Sequence, residues 1–249
     1  MAAQPWQPAA HQPPPAPDRI HVWRIDLDAD PVLPGDESVL SPDETARANR
    51  LLHEYQRARF IAGRSAVRML LARYLGGTPQ TLGFHYGPRG KPALADTASQ
   101  PPLFFNYSNS RNLGLLAVST VREVGIDIEY RHRGISVTPL ARHILSGSEA
   151  LAFQRLPAKQ RKPALLATWT RKEAYVKALG VGLAMPLKSF SVAVDDDEAA
   201  ALLQLDDGSG KMRSWTFAPL AAHPDHLACL AAPGSDWTPC CFDWQSTLP

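Results

Sequence analysis

The 249-residue chain has few cysteines, no long apolar run and little net charge. Its three cysteines, Cys229, Cys240 and Cys241, are odd in number and two of them are adjacent. They therefore predict neither a disulfide framework nor a metal-binding spacing, and they favour a reducing cytoplasm. No run of eighteen apolar residues occurs, so we expect no transmembrane helix. The formal net charge of +2 is too small to indicate a nucleic-acid-binding protein.

The chain does have enough apolar sequence for a core. Hydrophobic residues make up 45% of it, and its length fits one large domain or two small ones. Residues 1–18 are rich in Pro, Ala and Gln and lack the basic and apolar regions of a secretory signal, so we expect a disordered tail there. Residues 234–249, which include Trp237 and Trp244, carry no assignable pattern and are treated as a C-terminal tail.

Two comparable halves lie between these tails. The first, residues 19–122, begins with an alternating strand at Ile20–Leu27, and Ser41-Pro42-Asp43-Glu44 is typical of a helix N-cap with a capping box. A basic helical region is expected from there to Tyr74, broken near Gly63. Three strands are predicted after it, at residues 82–86, 103–107 and 113–119.

The second half, residues 123–233, shows the same order of elements. It begins with an alternating strand at Val124–Tyr130. We expect its further elements, two helical stretches and three strands, at residues 137–156, 164–179, 190–194, 215–218 and 227–231. A strand–helix–strands unit that occurs twice is typical of a duplication, although the two halves share little sequence.

The strand Gly125–Glu129 carries two acids. Apolar and polar residues alternate along it, so Asp127 and Glu129 share the face opposite the apolar side chains. Their Cα atoms are then roughly 6.5 Å apart, at about 3.3 Å per residue. Two like charges on one face repel each other unless a cation lies between them, and Mg²⁺ prefers one or two protein carboxylates. An edge strand with a hydrated acidic face is the alternative.

The segment from Trp169 to Lys177 predicts a helix. Trp169 and Glu173 are four residues apart, so their side chains lie on one side of it. Glu173 could supply a third carboxylate, and Lys172 and Lys177 could meet a phosphate that the metal neutralises. The alternative is a surface ion pair between Glu173 and Lys177, worth roughly 0.2–0.5 kcal/mol.

Five segments resemble, in the same order, the motifs of one known family. Residues 125–129 (Gly-Ile-Asp-Ile-Glu) and 169–177 (Trp-Thr-Arg-Lys-Glu-Ala-Tyr-Val-Lys) resemble the two signature motifs of the Sfp-type 4′-phosphopantetheinyl transferases. The tryptophan and the Lys-Glu-Ala order are similar to the branch called W/KEA. Residues 105–110 (Phe-Asn-Tyr-Ser-Asn-Ser), 87–92 (Gly-Pro-Arg-Gly-Lys-Pro) and 180–192 resemble three further motifs of that family.

The resemblance implies a fold and a reaction. The fold is an α+β pseudo-dimer that binds coenzyme A in the cleft between its halves. The reaction transfers 4′-phosphopantetheine from coenzyme A to a serine of an apo acyl or peptidyl carrier protein and releases adenosine 3′,5′-bisphosphate. The resemblance also implies a cytoplasmic monomer that needs neither nucleic acid nor a membrane, and the W/KEA branch leans towards the carriers of secondary metabolism.

The resemblance further implies roles for individual residues. Asp127, Glu129 and Glu173 would hold Mg²⁺, with Mn²⁺ as a substitute. Glu173 would also be the general base, and Lys177 would act with it in catalysis. Lys172 and Lys177 would meet the pyrophosphate of coenzyme A, and Ser108 would donate a hydrogen bond to it.

The helix of the first half is rich in arginine, at Arg47, Arg50, Arg57, Arg59, Arg64, Arg68 and Arg73. A solvated helix face is the ordinary explanation of such a run, and an anion site is the alternative. Alignment with the family puts Arg47 where a basic residue contacts the 3′-phosphate of the coenzyme. Lys91 matches a residue implicated at the nucleotide, although a plain exposed turn lysine is an equal alternative.

Three positions depart from the family pattern or are ambiguous. Asn109 stands where the family usually has a histidine that faces the 3′-phosphate. A neutral hydrogen bond in place of a charged one is expected to weaken coenzyme binding about five-fold. Glu44 stands where another basic residue often occurs. Glu149 resembles a further acidic position near the metal, but it also fits a helix cap.

Two other function classes remain open at this point. One is a non-catalytic coenzyme A binding relative of the family. The departures from the family pattern at Asn109 and Glu44 are consistent with it. The other is an unrelated metal-dependent phosphotransferase or phosphodiesterase that pairs acids by coincidence.

Overall fold

The structure of the protein is a computed structural model that describes residues 5–9, 12–29, 37–95, 102–194, 202–206 and 212–245. Within these ranges the chain has the expected α+β fold. The strands are β1 (Gln7–Ala9), β2 (Arg19–Asp26), β3 (Phe84–Tyr86), β4 (Pro92–Leu94), β5 (Phe104–Ser110), β6 (Leu113–Ser119), β7 (Gly125–Tyr130), β8 (Leu202–Asp206), β9 (Met212–Pro219), β10 (His226–Pro233) and β11 (Thr238–Trp244). The α-helices are α1 (Pro42–Asn49), α2 (Glu54–Leu75), α3 (Val137–Ile144), α4 (Gly147–Arg155) and α5 (Ala158–Leu179).

The first sheet contains strands from both ends of the chain. Its order is β1-β11-β2-β6-β5. β11 runs parallel to both β1 and β2, whereas the β2–β6 and β6–β5 pairs are antiparallel. Helix α2 covers one face of this sheet, where Leu70 and Leu71 join Trp23 and Leu116 in a buried cluster.

The second sheet is antiparallel, in the order β7-β10-β9-β8. Helix α5 packs on it, and Tyr175 lies against Trp215 and Phe217. α2 and α5 each have 22 residues and each ends at a glycine with positive φ, Gly76 and Gly180. Each of these two sheets is therefore covered by one long helix.

The first-half helices differ in one respect from the sequence prediction. The backbone N–H of Ser41 donates to the Glu44 carboxylate (3.0 Å), which confirms the capping box at the start of α1. Helix α2 continues through Gly63 without the expected break. A Cβ at Gly63 would lie 2.4 Å from the hydroxyl oxygen of Tyr107, so this glycine is explained by close packing. The interruption comes earlier, at residues 50–53 between α1 and α2.

The second half also differs in places from the prediction. The predicted helical stretch at residues 137–156 is two helices, α3 and α4, because Ser146 caps α4 through its contact with the backbone N–H of Glu149. Residues 190–194, for which a strand was predicted, form none. The strands expected near 215–218 and 227–231 are confirmed as parts of β9 and β10.

The two predicted tails contain paired strands. β1 lies within the segment whose composition indicated disorder, and the indole N–H of Trp6 beside it donates to the carbonyl of Ala221 (2.8 Å). β11 lies within residues 234–249 and buries Cys241 and Phe242. Within the described residues, no helix is long and apolar enough to cross a membrane.

Candidate active site between the two sheets

The two sheets meet at β5 and β7 through side chains of β5. The side-chain oxygen of Asn106 accepts from the backbone N–H of Ile126 (2.8 Å), and Ser110 Oγ accepts from that of Tyr130 (3.0 Å). Between them, Ser108 Oγ donates to Asp127 Oδ1 (3.0 Å). These three β5 residues are two apart, so they share one face of the strand. The Asn-x-Ser-x-Ser pattern thereby holds β7 at a fixed position beside β5.

Asp127 is the buried acid of this site. Lys177 Nζ donates to its Oδ1 (2.5 Å) and to Ser108 Oγ (2.8 Å). Its other oxygen, Oδ2, is buried and has no hydrogen-bond partner in the described part of the chain. Burial raises the pKa of Asp127, and the positive charge of Lys177 acts against that shift.

Glu173 is half-buried one helical turn before Lys177. Its Oε1 is a second carboxylate oxygen that is buried without a partner among the described residues. Burial raises the pKa of Glu173, and the negative charge of Asp127 raises it further. The two carboxylates are therefore within range of each other's charge.

Glu129 has different surroundings. Its Oε1 accepts from the indole N–H of Trp169 (2.9 Å) and from the guanidinium of Arg133. The guanidinium carbon of Arg133 also lies 6.0 Å from the centre of the Trp169 ring. Oε1 of the third predicted acid therefore has two donors, and Glu129 has no buried oxygen that lacks a partner among the described residues.

Gly125 allows α5 to lie directly against β7. A Cβ at Gly125 would be 2.0 Å from the carbonyl oxygen of Ala174 and 2.4 Å from the backbone nitrogen of Ala178. Trp169, Glu173 and Lys177 follow each other at intervals of four residues, so they form one stripe along this helix. The close approach of the backbones brings that stripe onto the acids of β7.

Lys172 is not part of this cluster, in contrast to the prediction that it meets the pyrophosphate. Its ammonium is fully buried and donates to the carbonyls of Leu187 (2.6 Å) and Phe190 (2.7 Å), with Glu149 Oε2 at 2.8 Å. Glu149 also accepts from the backbone N–H groups of Ser146 and Val192 (2.7 Å each). Both residues therefore serve the packing of α5 and α4, and Glu149 takes the role of a helix cap.

Among the coenzyme contacts predicted in the first half, Ser108 contacts Asp127, whereas Lys91, Asn109 and Arg47 have other partners or are exposed. Lys91 pairs with Glu123 and donates to the carbonyl of Ala178 (2.6 Å) near the end of α5. Asn109 is exposed near the end of β5, on the strand face opposite Ser108. Arg47 is exposed on α1, with its guanidinium over the ring of Phe60.

Glu44, which departs from the basic pattern of the family, is buried in the first half. Its carboxylate accepts from Arg64 Nε (2.7 Å) and Arg68 Nε (2.6 Å). Arg68 also donates to the carbonyls of Pro79 and Leu82. The acid at this position therefore balances two arginines that fasten the loop after α2.

The donor atoms of the site fit a hard divalent cation. Two buried carboxylate oxygens without partners are costly unless a cation or proton meets them, and Mg²⁺ takes oxygen ligands. In the described residues, no group of three or more acidic, histidine or cysteine side chains stands in a metal-binding arrangement. In this structure, the positively charged group that contacts Asp127 is the ammonium of Lys177.

Arg133 is a residue of the site that the sequence interpretation did not name. It stands four positions after Glu129, in a basic run that follows the acidic strand directly. An acid followed closely by arginines is the only signal of this contact, and a solvated surface explains such a pattern equally well.

Comparisons with known proteins identify relatives over most of the chain. A family model described as the 4′-phosphopantetheinyl transferase superfamily matches residues 123–231, which include β7 and α5. The chain is 37% identical to the 4′-phosphopantetheinyl transferase HetI of a Nostoc species, over 89% of this chain and 91% of that protein. It is 28% identical to the 4′-phosphopantetheinyl transferase Sfp of Bacillus subtilis, over 76% and 84%. A solved structure of Thermotoga maritima holo-[acyl-carrier-protein] synthase covers 45% of this chain and 63% of its own, with 23% identity and a TM-score of 0.34.

Proposed function

The chain belongs to the 4′-phosphopantetheinyl transferase superfamily, and from that premise we propose how its site transfers the 4′-phosphopantetheine of coenzyme A to a serine of an apo carrier protein. The serine oxygen forms a bond to the phosphorus that carries pantetheine. The bond from this phosphorus to the bridging oxygen of the pyrophosphate breaks, and adenosine 3′,5′-bisphosphate leaves. The serine proton passes to a base of the protein.

The observation that carries the proposal is the pair of buried carboxylate oxygens without partners, Asp127 Oδ2 and Glu173 Oε1. We assign them, with Glu129, to hold Mg²⁺, for which Mn²⁺ substitutes. The metal would neutralise charge on the pyrophosphate as the leaving oxygen develops it. All three acids are present, which argues against a non-catalytic relative, and membership of the superfamily removes the unrelated phosphotransferase.

Glu173 is the base of the proposal. Its carboxylate stands on the stripe of α5 that faces β7, and with Oε1 assigned to the metal, the second carboxylate oxygen is the one left to accept a proton. Burial and the charge of Asp127 raise its pKa, which makes the carboxylate a better proton acceptor. Glu173 is therefore assigned to take the proton of the attacking serine.

Lys177 is assigned to the transferred phosphate, and it is the lysine of the motif that can reach it. Its side chain is partly exposed, and its ammonium is positioned by Ser108 and Asp127. Ser108 contributes mainly by holding these two groups. Lys172 is not assigned to the phosphate, because its donors are all used inside the protein.

Coenzyme contacts in the first half are assigned to exposed residues. Arg47 and Asn109 both reach solvent, and they are the residues that the family alignment puts at the 3′-phosphate. Lys91 is assigned to the junction of the halves, because Glu123 and the end of α5 occupy its ammonium. We also propose that the protein belongs to the Sfp-type W/KEA branch and that it is a cytoplasmic monomer. Its carrier proteins are proposed to be those of secondary metabolism.

Intact mass measurement tests the proposal. The protein is incubated with coenzyme A and several apo carrier proteins, with Mg²⁺, with Mn²⁺ or with excess chelator. We expect a phosphopantetheine mass on a carrier serine only in the presence of metal, and full transfer in chelator would overturn the metal assignment. Glu173→Gln should lower kcat at least about 100-fold. The control is Glu54→Gln, which alters an exposed glutamate at the start of α2.

A further inference from the structure

Glu129 is held by donors from two different elements, which share one of its oxygens. Trp169 reaches its Oε1 from α5, and Arg133 reaches the same oxygen from the turn that follows β7. Because both donors use Oε1, the other oxygen of this carboxylate is the one left for a further ligand. The Arg133 side chain is 37% exposed and that of Glu129 is 16% exposed, so water reaches the guanidinium more easily than the acid.

The two donors differ in what they do to a cation beside Glu129. The indole N–H of Trp169 is neutral, so it orients the carboxylate without reducing its net charge. The guanidinium of Arg133 carries a full positive charge, which repels a divalent cation and neutralises the acid in its absence. The ring of Trp169 lies beside the guanidinium and restricts where it can rest.

We propose that Trp169 and Arg133 are positioning residues that set the affinity of the site for a divalent cation in opposite directions through Glu129. Trp169 raises that affinity by fixing the carboxylate. Arg133 lowers it by competing for the same group. The inference rests on the proposed metal role of the three acids.

The test measures Mn²⁺ binding to the protein alone, by electron paramagnetic resonance and calorimetry, with neither coenzyme nor carrier present. Arg133→Gln should tighten Mn²⁺ binding about three- to tenfold, a modest effect because the ion pair is partly exposed. Arg133→Lys keeps the charge and should stay within about twofold of the unmodified protein. Trp169→Phe keeps the ring, loses the N–H, and should weaken binding roughly tenfold.

Arg131→Gln is the matched control. Arg131 lies in the same turn, but its guanidinium donates to the carbonyl of His226 (3.2 Å), away from Glu129. This variant should bind Mn²⁺ within about twofold of the unmodified protein. A purely structural role of the arginines would instead change thermal stability without the opposite shifts in Mn²⁺ affinity.

The outcomes distinguish the inference from the proposed function. If the unmodified protein binds Mn²⁺ but Arg133→Gln and Arg133→Lys bind it equally, the inference is overturned and the metal role stands. If the unmodified protein binds no Mn²⁺ and transfers the group in chelator, both are overturned. Should Trp169→Phe fail to fold, the comparison of the two Arg133 variants still decides the role of the charge.

Discussion

Lys172 and Lys177 lie on the same helix, five residues apart. The ammonium group of Lys172 is buried, whereas the side chain of Lys177 is partly exposed. Five residues correspond to about 140° around an α-helix, so the two side chains leave it on different sides. Lys172 meets two carbonyls and Glu149 in the interior, where burial lowers its pKa while Glu149 acts against that shift. Lys177 meets Asp127 and Ser108 at a partly exposed position.

Substituting each lysine with methionine should separate stability from activity. Lys172→Met leaves Glu149 as a buried charge without its partner, so the free energy of unfolding should fall by about 3–5 kcal/mol. Lys177→Met should lower it by no more than about 1–2 kcal/mol, because Asp127 can take a proton in place of the lost partner. Lys177→Met should instead reduce kcat/KM for transfer about ten- to a hundredfold.

Urea denaturation and intact mass assays measure the two effects. Adding Glu149→Gln to Lys172→Met should recover part of the lost stability, because the effects of substituting two residues in contact are not additive. If Lys172→Met were as stable as the unmodified protein and inactive, Lys172 would have the phosphate role after all.

Helix α5 and strand β7 form the functional unit at the scale of elements. Neither carries the site by itself, since β7 supplies Asp127 and Glu129 and α5 supplies Glu173 and Lys177. Their backbones touch at Gly125, where even a methyl group would collide with the helix backbone. The distance between the two elements therefore determines whether the acids act together.

Gly125→Ala should force α5 away from β7. The clash is with backbone atoms, which cannot move aside as a side chain can, so we expect a loss of about 3 kcal/mol in the free energy of unfolding. Mn²⁺ binding and transfer should fall together, since Glu173 and Lys177 move with the helix. Gly134→Ala is the control, because a Cβ there meets no atom within 4 Å. Equal behaviour of the two variants in denaturation and Mn²⁺ titration would contradict the close-packing argument.

At the scale of the whole molecule, strand β11 joins distant parts of the chain in one sheet. β11 lies between β1 and β2, so the last described part of the chain completes the sheet that begins near its start. The ring of Phe242 lies 5.1 Å from that of His21 and 5.0 Å from that of Trp23. Trp237 and Cys241 are buried in a cluster that also contains Ile126 and Ile128 of β7. The strand therefore belongs to the first sheet and also shares a buried cluster with β7, which carries two of the acids.

A chain that ends at residue 236 should not fold, although every proposed catalytic residue is present in it. Burial of one large apolar side chain contributes about 1.5–3 kcal/mol to the free energy of unfolding. Loss of several such side chains therefore approaches or exceeds the total stability of a typical protein, roughly 5–15 kcal/mol. Circular dichroism and thermal unfolding measure the loss. A synthetic peptide of residues 237–245 should restore folding and transfer, whereas a scrambled peptide should not. An unchanged unfolding temperature of the shortened chain would disprove this role of β11.

Local patterns determined much of the fold and of the site. Period-two alternation predicted β7 with its two acids on one face, and the capping box predicted the start of α1. Intervals of four residues put Trp169, Glu173 and Lys177 on one side of α5. These features depend on a residue and its neighbours within a turn or a strand, so the sequence contains them directly.

Long-range packing decided the rest. β1 and β11 are strands because they pair with each other and with β2, and a strand's partner far away in the chain leaves no local pattern. Gly63 reads as a helix break, but it lies inside α2 because Tyr107 needs the space. Periodicity gives the side of an element on which a residue lies, whereas only the tertiary structure decides what covers that side. That is why Lys172 was predicted at a phosphate and lies on Glu149, and why the contact of Arg133 with Glu129 became visible only in the folded chain.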